Sequence, residues 1–113
     1  MIRGTVVLTP FPFTDLSGSK IRPAVVVSQT DRPGVDVILA FISSVLPPTP
    51  LATDLTLDLS HVDFPATGLK VSSVIRCDKL ATVDRRVVLG QLGTLSVAFQ
   101  QALNQRLRQA LDL

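Results

Sequence analysis

The sequence predicts a mainly β domain closed by a C-terminal α-helix, a small barrel or curled sheet. Three observations carry this. Short Val- and Ile-rich runs bounded by Pro, Gly and Asp recur up to Thr94. Asp54-Leu-Thr-Leu-Asp-Leu59 alternates polar and apolar residues with the period of a strand, whereas from Leu95 onward the apolar residues recur at helical spacing. At 113 residues the chain is expected to be one domain spanning 1–113, with a modest core. It has five Phe and no Trp or Tyr, so that core rests on Val, Leu and Ile.

Thr5 to Thr9 is the first expected strand, ended by Pro10 and Pro12, which lack the N–H that a central ladder needs. Thr14 to Lys20 carries Asp, Ser and Gly and reads as a loop. The second strand is Ala24-Val-Val-Val-Ser28, with Arg22 at its mouth and Pro23 at its start, where no donor is required. Asp31-Arg-Pro-Gly34 is a turn signal, so the third strand, Val35 to Ser43, should pair with the second as a hairpin. Both runs are continuously apolar, as in strands covered on both faces. Pro47, Pro48 and Pro50 make a second exposed loop, and Asp54 to Leu59 reads as a strand with one face in water. Lys70 to Asp78 and Leu80 to Val83 are expected as two further strands, followed by a turn at Asp84-Arg-Arg86 and a strand from Val87 to Leu92. In the helix, Leu95, Phe99, Leu103, Leu107 and Leu111 share one face and Thr94 is placed to cap it.

Composition narrows the chemistry. No apolar run approaches the ~20 residues of a membrane span, and no basic segment precedes an apolar one near Met1, so a soluble cytoplasmic protein is expected. Cys77 is the only cysteine, which excludes an internal disulfide and a cysteine-built zinc site. His61 is also alone, and all nine acidic residues are Asp, scattered without ligand spacing. Neither metal nor cofactor is expected. The net charge is only +2, but from Phe64 onward seven basic residues stand against three acidic ones, after a concentration of the opposite sign at Asp54, Asp58 and Asp63. A basic half suits a polyanion as well as it suits an ordinary solvated surface.

Arg22 leads the candidates for chemistry. A guanidinium whose backbone is fixed beside a proline-started strand loses little entropy on gripping a phosphate. Its alternative role is that of a surface arginine paired with Asp15 or Asp78. His61 has the titration range of a general base, but it lies in the Ser60-His61-Val62-Asp63 linker and reads as a loop histidine. Cys77 sits inside an apolar strand and reads as a small core residue.

Three blocks then define a resemblance. Gly4-Thr-Val-Val-Leu-Thr-Pro-Phe-Pro-Phe-Thr-Asp15 leads through a loop to Arg22-Pro-Ala-Val-Val-Val-Ser28. Gly68 to Asp84 contains Ser73-Val-Ile-Arg-Cys-Asp-Lys-Leu-Ala-Thr-Val-Asp84, and Gly90-Gln-Leu-Gly-Thr-Leu-Ser96 precedes the helix. In order and spacing these resemble the MazF/PemK family of toxins from bacterial toxin–antitoxin pairs, over most of the chain. The resemblance implies an SH3-like small barrel of the MazF/CcdB toxin type. It implies a metal-independent, sequence-selective endoribonuclease that cleaves single-stranded mRNA by attack of the ribose 2′-hydroxyl on the adjacent phosphate.

On this resemblance Arg22 neutralises the equatorial oxygens of the phosphorane, and Ser43, where many family members have Thr, adds a neutral hydrogen bond. A register shifted by one residue would give that role to Ser44. The proton acceptor is not named by the sequence. Thr14, Lys20, Ser44, Arg76, Lys79 and Arg86 are the expected RNA contacts, with Phe11 either stacking on a base or, like Phe13, plugging the barrel. The segment from Phe11 to Lys20 resembles the family's mobile lid. The implied partners are single-stranded RNA, a second copy of the chain and a small antitoxin with a flexible acidic and apolar tail, with no membrane. Two rivals remain open on sequence alone: a non-catalytic toxin on the same scaffold that binds a protein such as DNA gyrase, and a barrel kept as a binding module.

Overall fold

The computed structural model describes residues 1–11, 20–29 and 34–113. The expected roles of Phe13, Thr14 and Asp15, most of the lid, and the tip of the Asp31 to Gly34 turn lie outside the described residues. The chain forms β1 (Thr5–Phe11), β2 (Lys20–Val26), β3 (Asp36–Ser43), β4 (Asp54–Leu57), β5 (Ser73–Asp84), β6 (Gly90–Thr94) and α1 (Val97–Leu111). The strands make one antiparallel half-barrel sheet in the order β4-β5-β3-β2-β1-β6. The mainly β architecture with one C-terminal helix is the one that the sequence predicts.

Irregularities bend this sheet. The pairing register shifts between Val6 and Val7, and again between Ala40 and Phe41, opposite Cys77 to Lys79. Such bulges increase local twist and re-aim the side chains that follow. On one face Val6, Val25, Ala40, Ile42, Leu57 and Ile75 pack under Phe99 and Leu103 of α1. On the other, Val7, Phe11, Ala24, Val26, Leu39 and Phe41 form a second apolar cluster. Alternation along each strand thus serves two cores, which is why β2 and β3 read as unbroken apolar runs.

Several boundaries differ from the sequence reading, each for a local reason. β1 runs through Pro10 to Phe11. The Leu8 carbonyl accepts the Leu89 N–H, so the backbone of Pro10, two residues on, faces the same side, where β6 has already ended. A missing donor costs nothing at such an open edge. β2 begins at Lys20, which places Arg22 and Pro23 inside the strand instead of at its mouth. The Val27 N–H bonds to Ile38 in β3, so Pro23 faces β3 as well, and the β2–β3 pairing stops at Ala24–Phe41. The two expected strands over 70–83 are one twelve-residue strand, β5, with the bulge where a break was expected. β6 is shifted to Gly90–Thr94. The helix cap is Ser96, whose hydroxyl accepts the Phe99 N–H at 3.1 Å, and not Thr94. β4 is shorter than expected, and Asp54 on it is buried rather than wet, held by the Leu51 N–H at 2.9 Å.

Before β5 the chain is pinned against β6. Gly68 has φ +74°, and a side chain there would collide with the Leu92 carbonyl, while one on Gly93 would collide with Ala66 and Thr67. Only glycine at both crossing points allows this approach. The contact fixes the segment 68–72 that leads into β5. No helix among the described residues is long and apolar enough to cross a membrane.

Candidate functional site

Register decides which predicted residues meet. Thr9 opposes Arg22 and Phe11 opposes Lys20. Ala24 opposes Phe41, Phe41 opposes Arg76, and Arg76 opposes Asp54. Paired residues and their i±2 neighbours share a face, so Lys20, Arg22, Phe41, Ser43 and Arg76 lie on the face of the sheet turned away from α1.

Where Pro23 ends the β2–β3 ladder, the sheet opens into a groove of about 240 Å³. Arg22 and Pro23 line it from β2, Phe41 to Val45 from the end of β3, and Leu69, Lys70, Val71 and Ser73 from the pinned segment beyond. Arg22, Ser43 and Ser44, remote in sequence, therefore meet in one cavity. Among its described lining residues there are two cations, three serine hydroxyls and no carboxylate. Larger cavities of about 400 and 460 Å³ share Arg3 and Gln29 and gather none of the predicted residues.

Arg22 is partly buried and, among the described residues, has no carboxylate within ion-pair distance. The alternative pairing with Asp78 is not formed, because Asp78 belongs to Arg76. Ser43 ends β3, and its Oγ accepts the Val45 N–H at 3.0 Å. Its own proton has only a long 3.5 Å contact to the Val45 carbonyl. The hydroxyl is thus held by its oxygen while its proton can turn toward a guest. Ser44 is exposed on the same rim.

The remaining candidates divide. Lys20 is exposed at the start of β2. Arg76 donates two bonds to Asp78, at 2.9 and 2.8 Å, and lies 3.8 Å from the buried Asp54, whose Oδ1 has no hydrogen-bond partner. This hydrogen-bonded pairing raises the Arg76 pKa and holds Asp78 below the usual carboxylate range. Arg86 is paired in the same way with Asp84, whose pKa the Arg86 side-chain and backbone donors lower to about 2. Both arginines keep their geometry but present a neutralised pair. Lys79 sits 5.2 Å over the ring of Phe41, a cation–π contact beside the groove's floor.

Phe11 requires a correction. It is fully buried, with its ring 5.1 Å from that of Phe41, so it is a core side chain and not a platform for a base. Aromatic character alone could not separate the two roles, because β1 was expected to end before it. His61 is exposed, accepts the Asp63 N–H through Nδ1 and packs 4.5 Å from Phe99, away from the groove. Cys77 is fully buried, and its thiol is pushed up to about 12, chiefly by burial. The groove-lining cation that sequence reasoning did not single out is Lys70, counted there only as a charge. Its signal was the preceding Gly68, which marks a tight backbone crossing.

A family profile described as "PemK-like, MazF-like toxin of type II toxin-antitoxin system" matches residues 2–111. Comparison with curated protein sequences returns no significant match. Among solved structures, the chain is similar to an endoribonuclease in complex with its cognate antitoxin from a mycobacterial species, at 19% identity and TM-score 0.76, covering 100% of this chain and 96% of that one. It is similar to the Mycobacterium tuberculosis toxin MazF-mt6, at 22% identity and TM-score 0.76, covering 96% and 97%. A MazE–MazF structure from Deinococcus radiodurans matches at 20% identity and TM-score 0.72, covering 100% and 96%. At these identities the structures speak for the fold.

Proposed function

The chain belongs to the PemK-like, MazF-like toxin family of type II toxin–antitoxin systems, and from that membership we propose that it is a metal-independent, sequence-selective endoribonuclease acting on single-stranded mRNA in the cytoplasm. The observation that carries this reading is the convergence of Arg22 and Ser43 in a groove whose described lining holds no carboxylate. Such a lining favours a polyanion over a peptide or a cation.

In the reaction, the ribose 2′-oxygen attacks the neighbouring phosphorus and loses its proton, the P–O5′ bond breaks, and the 5′-oxygen takes up a proton. The products are a 2′,3′-cyclic phosphate and a 5′-hydroxyl. Negative charge grows on the equatorial oxygens during the attack. Arg22 stabilises them as a guanidinium, a group that keeps its charge and so suits charge stabilisation and not proton release. Ser43 turns its proton from the long contact with the Val45 carbonyl to the same oxygens, while its oxygen stays held by the Val45 N–H. A cognate antitoxin whose flexible acidic and apolar tail fills the groove would inhibit by covering Arg22.

The test is incubation of the purified protein with a long RNA in excess EDTA. Cleavage should persist, because among the described residues no three His, Cys, Asp or Glu side chains come together as a metal site would require. The fragments should end in 2′,3′-cyclic phosphate, and a 2′-deoxy nucleotide at the cut site should block cleavage. Loss of cutting on chelation with recovery on adding Mg²⁺ would overturn the mechanism.

A further inference from the structure

We propose that Lys70 is a second phosphate-gripping residue, holding the RNA backbone from across the end of β3 while Arg22 holds it from β2; this rests on the reading of the groove as an RNA site. Lys70 lines the groove on the segment leading into β5, and β3 lies between β5 and β2 in the sheet. The two cations therefore approach a guest from different elements.

Two observations separate Lys70 from the other basic residues in this half of the chain: Lys79, Arg85, Arg106 and Arg108 do not line the groove, and the remaining two are paired. Arg76 and Arg86 are tied to Asp78 and Asp84. Among the described residues Lys70 and Arg22 have no such partner, and no carboxylate lines the groove between them. Two unpaired cations in one concavity repel each other unless an anion lies between them. Successive phosphates of a single strand supply one charge for each.

The segment carrying Lys70 is held at both ends. Gly68 is locked against Leu92, and the Thr67 hydroxyl accepts the Leu69 N–H at 3.2 Å. Beyond it, the Ser73 hydroxyl donates to the Val71 carbonyl at 2.9 Å, and the Ser72 hydroxyl accepts the Leu59 N–H at 2.8 Å. The fold has thus already ordered the backbone of Lys70, and binding has only to order its side chain. A loosely tethered lysine would give less.

The experiment measures binding of a fluorescent random-sequence single strand with 2′-fluoro in place of 2′-hydroxyl, which cannot cut itself, over a series of KCl concentrations. Each neutralised phosphate of a single strand contributes a slope of about −0.7 in log K against log salt. Lys70→Met should bind more weakly, with a slope shallower by about 0.7, and Lys70→Arg should keep the wild-type slope. On cleavable RNA, Lys70→Met should raise KM more than it lowers kcat, as for a contact made equally in ground and transition states. An unchanged slope in a well-folded Lys70→Met, with wild-type cutting intact, overturns the role of Lys70 and leaves the nuclease reading standing. A Lys70-dependent slope in a protein that cuts no RNA does the reverse. A wild type that cuts RNA but does not bind the strand overturns the phosphate grip alone, and one that does neither overturns both.

Discussion

On the proposed reading the chemistry turns on Arg22, and its position inside β2 makes its removal informative. It is partly exposed and has no ion pair among the described residues, so Arg22→Ala should fold with nearly unchanged circular dichroism while losing most cleavage. Ser43→Ala should lower the rate by a smaller factor, of the order of 10²–10³, typical of one lost oxyanion donor. Ser43→Thr should keep substantial activity. If Ser44→Ala is damaging and Ser43→Ala silent, the active hydroxyl is the next one along. The Arg-Pro pair was legible in the sequence as a candidate for gripping phosphate, but the pairing of Arg76 with Asp78 was not. In a regular strand residues at i and i+2 share a face, but Asp78 lies within the bulge of residues 77–79, and that bulge has no composition signature. Cys77 offers a separate test. An ordinary thiol ionises near 9, whereas burial, with Asp54 and Asp78 nearby, pushes this one to about 12. The unfolded chain loses that proton at lower pH than the folded one, so the thiol's contribution to stability is whole below about 9 and is lost as pH rises toward about 12. Urea unfolding at pH 8 and pH 10.5 should show this loss in wild type and a smaller one in Cys77→Ala; equal slopes would remove the thiol from the pH dependence.

At the scale of elements, the amphipathic helix was plain in the sequence because its period extends over four turns, yet its cap was misplaced by two residues. Thr94 and Ser96 are both cap-type residues, and the choice between them is made by the ladder. Thr94 pairs with Thr5 in β6, and its backbone is therefore extended when the helix begins. Ser96→Ala should cost about 1 kcal/mol, the usual value of an N-cap hydroxyl. Thr94→Ala, on an exposed strand position, should change stability by less than about 0.5 kcal/mol. Thermal or urea unfolding of both variants decides between the two caps, and a larger loss at Thr94 would place the helix start earlier. The same competition explains β1 and β2. Proline was read as a stop, but it stops only the ladder its nitrogen faces, and at Pro10 and Pro23 that side is open. At Pro23 the interruption is also what parts β2 from β3 and makes room for the groove.

For the molecule as a whole, the decisive quantity is how much surface one copy can offer. A groove of about 240 Å³, carrying two cations without carboxylate partners among its described residues, has room for little more than one nucleotide and its neighbouring phosphates. Selection of a sequence of several bases needs a longer track. A two-fold pair would join two such grooves and their basic rims, and closed two-fold symmetry is the commonest way for a small protein to assemble. Apolar side chains that one copy leaves uncovered point the same way, among them Ile2 at 76% exposure and Leu111 at 53%, the latter in a cavity of about 460 Å³ where Leu107, Leu111 and Leu113 stand among Arg3, Gln29, Asn104 and Arg108. Covering such surface contributes roughly 25 cal/mol per Å² removed from water. Light scattering at micromolar concentration should therefore report about twice the 12.1 kDa mass of the chain. Leu111→Lys should shift that mass toward the monomer, weakening RNA binding while leaving the circular dichroism of each copy unchanged. A wild-type protein that stays monomeric at all concentrations and still cuts RNA selectively would sink the paired-groove arrangement, and the selectivity would then have to come from the single groove.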